Sequence, residues 1–424
     1  MKFDIPYGKE NISFTIENDR IEGVLESRAN EYEPEADQKA LVDSALTDPI
    51  NSPDLKEIAR DKKEVVIICS DHTRPVPSRF IIPPMLAKIR EGNPEASIKL
   101  LIATGFHRPS TEEELVDKFG QKIVENEEII VHRSENKDEI VHLGSLPSGG
   151  DLELNKHAVE ADLLLAEGFI EPHFFAGFSG GRKSVLPGVA SRETVLGNHC
   201  GEFIAHENAR TGILEGNPLH KDMLYAAEKA ELEFIVNVAI NQDKEIINAF
   251  AGDYKKAHEK GCEFVARLAG VKAAPADIVI TTNGGYPLDQ NIYQSVKGMT
   301  AAEAACKENG VIIIAAECSD GHGGEGFYNT FLEADSVQQI REDIKSRDMS
   351  ETVPDQWESQ ILARILDKFE VIMITGAPRK MVEDMYMYKA ENMDEALSMA
   401  EDMVAEVKPG ITVIPDGVSV IVEK

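Results

Sequence analysis

The chain has 424 residues, 42% of them hydrophobic, and a formal net charge of −31. That length predicts two or three domains with substantial cores, and the acidity argues against a nucleic-acid footprint, which needs a basic patch. Five scattered cysteines without a C-x-x-C pair disfavour a disulfide framework or a thiolate zinc site. They fit reduced thiols in a cytoplasmic protein, and no signal-peptide core or membrane span is expected.

Short β-branched runs alternate with helical patterns along the chain. Strands are predicted at 65–69, 98–103, 128–131, 162–165, 234–240, 277–281, 311–315 and 371–375. Helices are predicted at 78–91, 110–119, 191–203, 254–268, 290–309, 356–368 and 393–407, the second starting on a capping pattern at Ser110. The alternation predicts an α/β fold with largely parallel sheets. A small-residue linker near residue 270 predicts an N-terminal domain over 1–270 and a C-terminal domain over 271–424.

Ligands of open α/β sheets bind beyond the carboxyl ends of the strands, so the residues that follow each strand carry most information. After the first strand comes Asp71-His72-Thr73-Arg74-Pro75-Val76-Pro77, where the prolines stiffen the base of a guanidinium that can fork onto a carboxylate. An ion pair of Arg74 with Asp71 is the plainer reading. After the second strand comes Thr104-Gly105-Phe106-His107-Arg108-Pro109. After the 162–165 strand, residues 168–188 combine His173, the glycines Gly177, Gly180 and Gly181, Ser179, and the cations Arg182 and Lys183.

His107 and His173 each follow a strand beside a proline-fixed turn, and imidazole can serve as base or acid near neutral pH. In so acidic a chain, Arg74, Arg108, Arg182, Lys183 and Lys297 suggest a local pocket for an anion. The glycine turn resembles a P-loop but fails its spacing, because arginine stands where G-K-[ST] needs glycine. It still suits either backbone amides around a phosphate or a tight turn of small residues. His199, at the end of the 191–203 helix, is either a ligand for a metal such as nickel, zinc or copper or a histidine capping helix carbonyls. Gln290, Tyr293, Gln294 and Lys297 share a helical face that would hold a small anion or simply meet solvent. Trp357 reads as a pocket wall or as core.

These ordered motifs resemble the nickel-dependent lactate racemase family over nearly the whole chain. The matching elements are Asp71 to Pro75, Thr104 to Pro109, Pro172-His173 with Ala176 to Lys183, Asn198-His199, and Gln294 to Lys297. The resemblance implies two α/β domains with the active site in the cleft between them. It implies racemisation or epimerisation at C2 of a 2-hydroxy carboxylate, lactate or a related acid, by histidine-assisted hydride transfer. It implies a nickel-pincer nucleotide, a pyridinium-3-thioamide-5-thiocarboxylate mononucleotide of nickel, attached through Lys183 and delivered by cofactor-assembly enzymes.

By the same resemblance, His107 and His173 are the acid–base pair and His199 ligates nickel. Asp71, Thr73, Gly177, Ser179, Gly180 and Gly181 contact the cofactor. Arg74, Tyr293, Gln294, Lys297 and Trp357 hold the substrate. Two other readings stay open: a nucleotide carrier without turnover, which needs no histidine pair, and a zinc hydrolase built on His199.

Overall fold

The computed structural model of the protein describes residues 1–423. Strands whose residues are apolar on both faces require cover on both sides, which parallel sheets with crossover helices provide. Val65 to Cys69 within Glu64–Ser70 are buried, as is every residue of Leu163–Phe169. These two strands form the centre of a six-stranded sheet ordered 246–253, 232–240, 163–169, 64–70, 97–103, 128–131. All neighbours run parallel except Ile246–Asp253, which returns antiparallel along Leu232–Ile240. A second six-stranded sheet, ordered 388–390, 370–374, 306–315, 276–282, 411–414, 21–24, is parallel throughout.

Each sheet has its own apolar core. The first is built on Ile67, Leu100, Leu165 and Val236 with Ile81, Ile82 and Met85 of the Ser78–Gly92 helix. The second is built on Ile280, Ile313, Ile372 and Val413 with Ala396 and Ala400 of the Met393–Met403 helix. The predicted strands all appear, because β-branched runs bounded by turns state their own ends.

Two compact units result, and neither is continuous in sequence. The first comprises Arg28–His199 and Glu207–Leu268; the second comprises Met1–Ser27, Cys200–His206 and the chain from Ala269 onward. The crossing at Leu268–Ala269 lies beside the predicted linker, but the first 27 residues group with the C-terminal unit rather than the N-terminal one. There Ile21–Val24 extends the second sheet, and Phe3, Ile5 and Phe14 of the N-terminal hairpin enter its core.

The expected 191–203 helix is two short ones, Arg192–Asn198 and Gly201–Ala205. The break falls where the chain passes between units, and Gly201 O accepts a hydrogen bond from Gln360 Nε2 at 2.7 Å inside the second unit. The expected 290–309 helix spans Ile292–Ala305, because its last residues enter the Cys306–Ala315 strand. Gln290 therefore precedes the helix and its Asn291 cap, and does not belong to the helical face proposed for it. The capping box sits on Thr111 and Glu114, one residue later than expected.

Candidate active site

Three loops leave the carboxyl ends of parallel strands in the first unit, and together they carry the histidines. Asp71 follows Glu64–Ser70 and His107 follows Ser97–Ala103, neighbours in register. His107 Nδ1 lies 2.7 Å from Asp71 Oδ2, and Thr73 Oγ1 donates to Asp71 Oδ1 at 2.8 Å and lies 3.2 Å from the same ring nitrogen. A carboxylate can only accept, so Nδ1 carries the proton and Nε2 presents the lone pair. Asp71 is buried, and burial alone would raise its pKa. The hydrogen bond and charge of His107, with Thr73 and Arg74, outweigh that and hold it below the ordinary carboxylate value.

The partner of the Asp71 carboxylate is thus His107, while Arg74 contributes charge. His72 turns to Ser110 Oγ at 3.0 Å. Arg108, expected among the anion-binding cations, is an exposed partner of Glu114. The residues flanking the Asp71 turn are tied to Glu167, a buried acid in an otherwise apolar strand. Its Oε1 accepts from Ser70 N and Ser70 Oγ, both at 2.9 Å, and its Oε2 accepts from Ser78 Oγ at 3.1 Å.

The third loop follows Leu163–Phe169. Arg182 is 1% exposed, and its guanidinium points inward instead of toward a ligand. It donates to the carbonyls of Phe178 (2.7 Å), Ala176 (2.8 Å) and Gly180 (3.2 Å), and to His220 Nδ1 (2.9 Å). Burial draws its pKa down to about 10. Arg182 is therefore the internal brace of the glycine loop, which corrects its reading as an anion-binding cation.

The loop's amides are spent internally as well. Ser179 N donates to Glu171 O, Gly181 N to Asn237 Oδ1 at 2.7 Å, and Lys183 N to Gly180 O. A phosphate cradle built from those amides is not what this turn offers. The glycines answer a steric demand: Gly180 has φ +75°, and a Cβ there would lie 2.6 Å from Asn237 Oδ1 and 2.9 Å from Phe169 O. Gly177 and Gly181 also have positive φ. Ser179 Oγ donates to Phe169 O at 2.9 Å.

What the loop presents is a cluster around the Phe175 ring. His173 packs against that ring at 4.6 Å between centroids, His199 meets it edge-on at 5.2 Å, and Lys183 Nζ lies 5.6 Å from its centroid. Lys183 Nζ is also 3.3 Å from His173 Nε2, and Ala176 N donates to His173 Nδ1 at 3.3 Å. His199 is buried at the end of the Arg192–Asn198 helix with Nδ1 3.0 Å from Val195 O, so Nδ1–H donates and Nε2 holds the lone pair. Burial, reinforced by the charge of Lys183, lowers its pKa to about 3, so the ring is neutral. Among the described residues no three His, Cys, Asp or Glu side chains converge as a metal-holding cluster.

In the second unit, Asn291 caps the Ile292–Ala305 helix through Gln294 N at 2.9 Å. Lys297 Nζ donates to Gln294 Oε1 at 2.6 Å, and buried Trp357 donates from Nε1 to Tyr293 Oη at 3.0 Å. Tyr293, Gln294, Lys297 and Trp357 therefore form one group. Glu358 beside them is buried, and its Oε1 has no hydrogen-bond partner. Burial raises its pKa to about 8, against the pull of Lys297.

Residues 7–212 match the model of the lactate racemase N-terminal domain, and residues 271–422 match that of the lactate racemase C-terminal domain. The chain belongs to the lactate racemase family. The lactate racemase of Thermoanaerobacterium thermosaccharolyticum is 58% identical over 422 residues, and that of Lactiplantibacillus plantarum is 52% identical over 424, each match covering 99% of both chains. The solved lactate racemase apoprotein from T. thermosaccharolyticum superimposes with a TM-score of 0.97 at 57% identity over 100% of both chains. A protein from Thermotoga maritima shares the fold alone, with a TM-score of 0.64 at 20% identity over 89% of this chain and 99% of its own.

Two buried acids beside these loops carry no expectation from the sequence. Glu167 had a signal, a lone acid inside a buried apolar strand. Asp222 had none, being one charge on an ordinary amphipathic helix. It is 1% exposed and accepts from Ser148 N at 3.2 Å and from Asn198 Nδ2 at 3.4 Å, next to His199.

Proposed function

We propose that this lactate racemase family member interconverts the enantiomers of lactate with His107 and His173 as its acid–base pair. In this reading a nickel-pincer nucleotide is anchored through Lys183 and ligated by His199. The observation that carries it is the convergence of His173, Lys183 and His199 on the single ring of Phe175. The donor set fits such a group. His199 is held neutral with Nε2 as the ligating nitrogen, the state an imidazole needs to bind a metal. Lys183 brings an amine to the same ring. When bound, the cofactor supplies the acceptor and donor for the C2 hydride.

The chain's own part is proton transfer and positioning. The carboxylate makes the C2 hydrogen a poor acid, so loss as hydride is eased once the hydroxyl proton is gone. His107, with Nδ1–H fixed by Asp71, takes that proton at Nε2. His173 serves the opposite enantiomer, whose hydroxyl faces the other way. Arg74 holds the carboxylate through its guanidinium, and Tyr293, Gln294, Lys297 and Trp357 are the remaining substrate contacts. Asp71 and Thr73 act through His107, and Gly177, Ser179, Gly180 and Gly181 shape the loop that presents Lys183. The cofactor-assembly enzymes are the transient partners this scheme needs.

Protein made together with those enzymes tests the reading by intact mass and metal analysis. A nucleotide-sized adduct on the Lys183 peptide with bound nickel is expected. Absence of both, while a control racemase loads normally, would overturn it. H107A and H173A are each expected to keep the adduct and lose interconversion by chiral chromatography; full activity in either refutes the two-base scheme.

A further inference from the structure

The turn from Asp71 to Pro77 must present Arg74 and hold the Asp71 carboxylate on His107, yet Pro75 and Pro77 bring no N–H to stabilise it. Its backbone is gripped by a side chain from another element. Lys118, near the end of the Glu112–Phe119 helix, donates from Nζ to the carbonyls of Arg74 at 3.1 Å and Val76 at 3.5 Å. Glu167 fixes the flanks of the same turn through Ser70 and Ser78. Lys118 is half-buried. Burial lowers its pKa, and the charges of Glu167 and Asp71 act in the opposite direction. Drawing an ammonium out of water is costly, and here it meets two carbonyls of the turn that carries Asp71 and Arg74.

We propose that Lys118 is a positioning residue of the racemase, aiming the Arg74 guanidinium and the Asp71–His107 pair by clamping the backbone between them. It touches neither substrate nor cofactor. This inference rests on the assignment of Arg74 and His107 to the reaction.

K118M, K118R and wild type are compared in two ways. In cofactor-loaded enzyme, K118M is expected to raise KM for lactate by about tenfold or more, with the Lys183 adduct retained, and K118R to recover much of that. In protein without cofactor, imidazole nitrogen chemical shifts report the His107 tautomer. Wild type and K118R should hold Nδ1–H, and K118M should relax toward the Nε2–H form. If K118M does not fold, K118Q, which keeps a donor, is read in the same way. Wild-type KM and tautomer in the folded variant would overturn the proposal, as would a loss of activity that only follows the unfolded fraction. Should wild type fail to racemise lactate, the functional reading fails, and the tautomer measurement still decides the role of Lys118.

Discussion

Asp71 and His107, bonded at 2.7 Å, form the residue-scale unit on which the proposed chemistry depends. Replacing Asp71 by Asn keeps the shape but removes the charge that favours Nδ1–H, so D71N should fold normally and lose about 10²–10⁴-fold in kcat, read by chiral assay of loaded enzyme. Arg182 makes a different prediction. R182M removes the buried guanidinium's hydrogen bonds to the carbonyls of Phe178, Ala176 and Gly180 and to His220 Nδ1, and should cost about 3 kcal/mol or more in urea unfolding. Both histidines were legible because strand ends in α/β folds are where function gathers. The cations were less so. A sequence shows that Arg108 and Arg182 exist, but their direction is set by Glu114 in one case and by the carbonyls of a buried loop in the other. Lys118 carried no signal at all, since on its helix it reads as an ordinary solvated lysine.

At the scale of elements, the glycine loop is a rigid presenter of Lys183. Gly180→Ala forces a side chain into a left-handed position against Asn237 and Phe169, so it should lower stability by about 1–3 kcal/mol and reduce adduct formation on Lys183, followed by calorimetry and intact mass. The strands were legible because burial on both faces writes continuous apolar runs. Helix ends were less legible where the cause is tertiary. Nothing local in the 191–203 pattern says that the chain changes unit after His199.

At the scale of the whole molecule, each unit holds buried groups whose pKa shifts favour opposite ends of the pH range. In the first, burial lowers His132 to about 4 and His199 and His220 to about 3, with His258 also well below its ordinary value. Unfolded histidine titrates near about 6.5, so below that pH the unfolded chain binds more protons and stability falls with acidification. Each such histidine therefore destabilises the folded unit as pH falls below about 6.5. In the second unit, burial raises the Glu358 pKa to about 8, so its contribution is full below the ordinary glutamate value, falls as pH rises above it, and is gone by about pH 8. Hydrogen exchange resolved by unit should show the first loosening as pH falls below about 6.5 and the second as pH rises toward about 8; a uniform response would contradict this. Two α/β layers were legible from element alternation, but the partition was not. A strand such as Ile21–Val24 does not state which sheet it will join, and here it joins one whose other strands begin some 250 residues later.

In the proposed reaction the C2 hydrogen of lactate moves as hydride while His107 and His173 handle only the hydroxyl proton. Racemisation of one enantiomer of C2-deuterated lactate by the loaded enzyme in ordinary water, with the opposite enantiomer isolated and its mass measured, tests this most directly. The product is expected to keep its deuterium. Loss of the label to solvent at the rate of racemisation would show that the C2 hydrogen leaves as a proton, and would contradict that expectation.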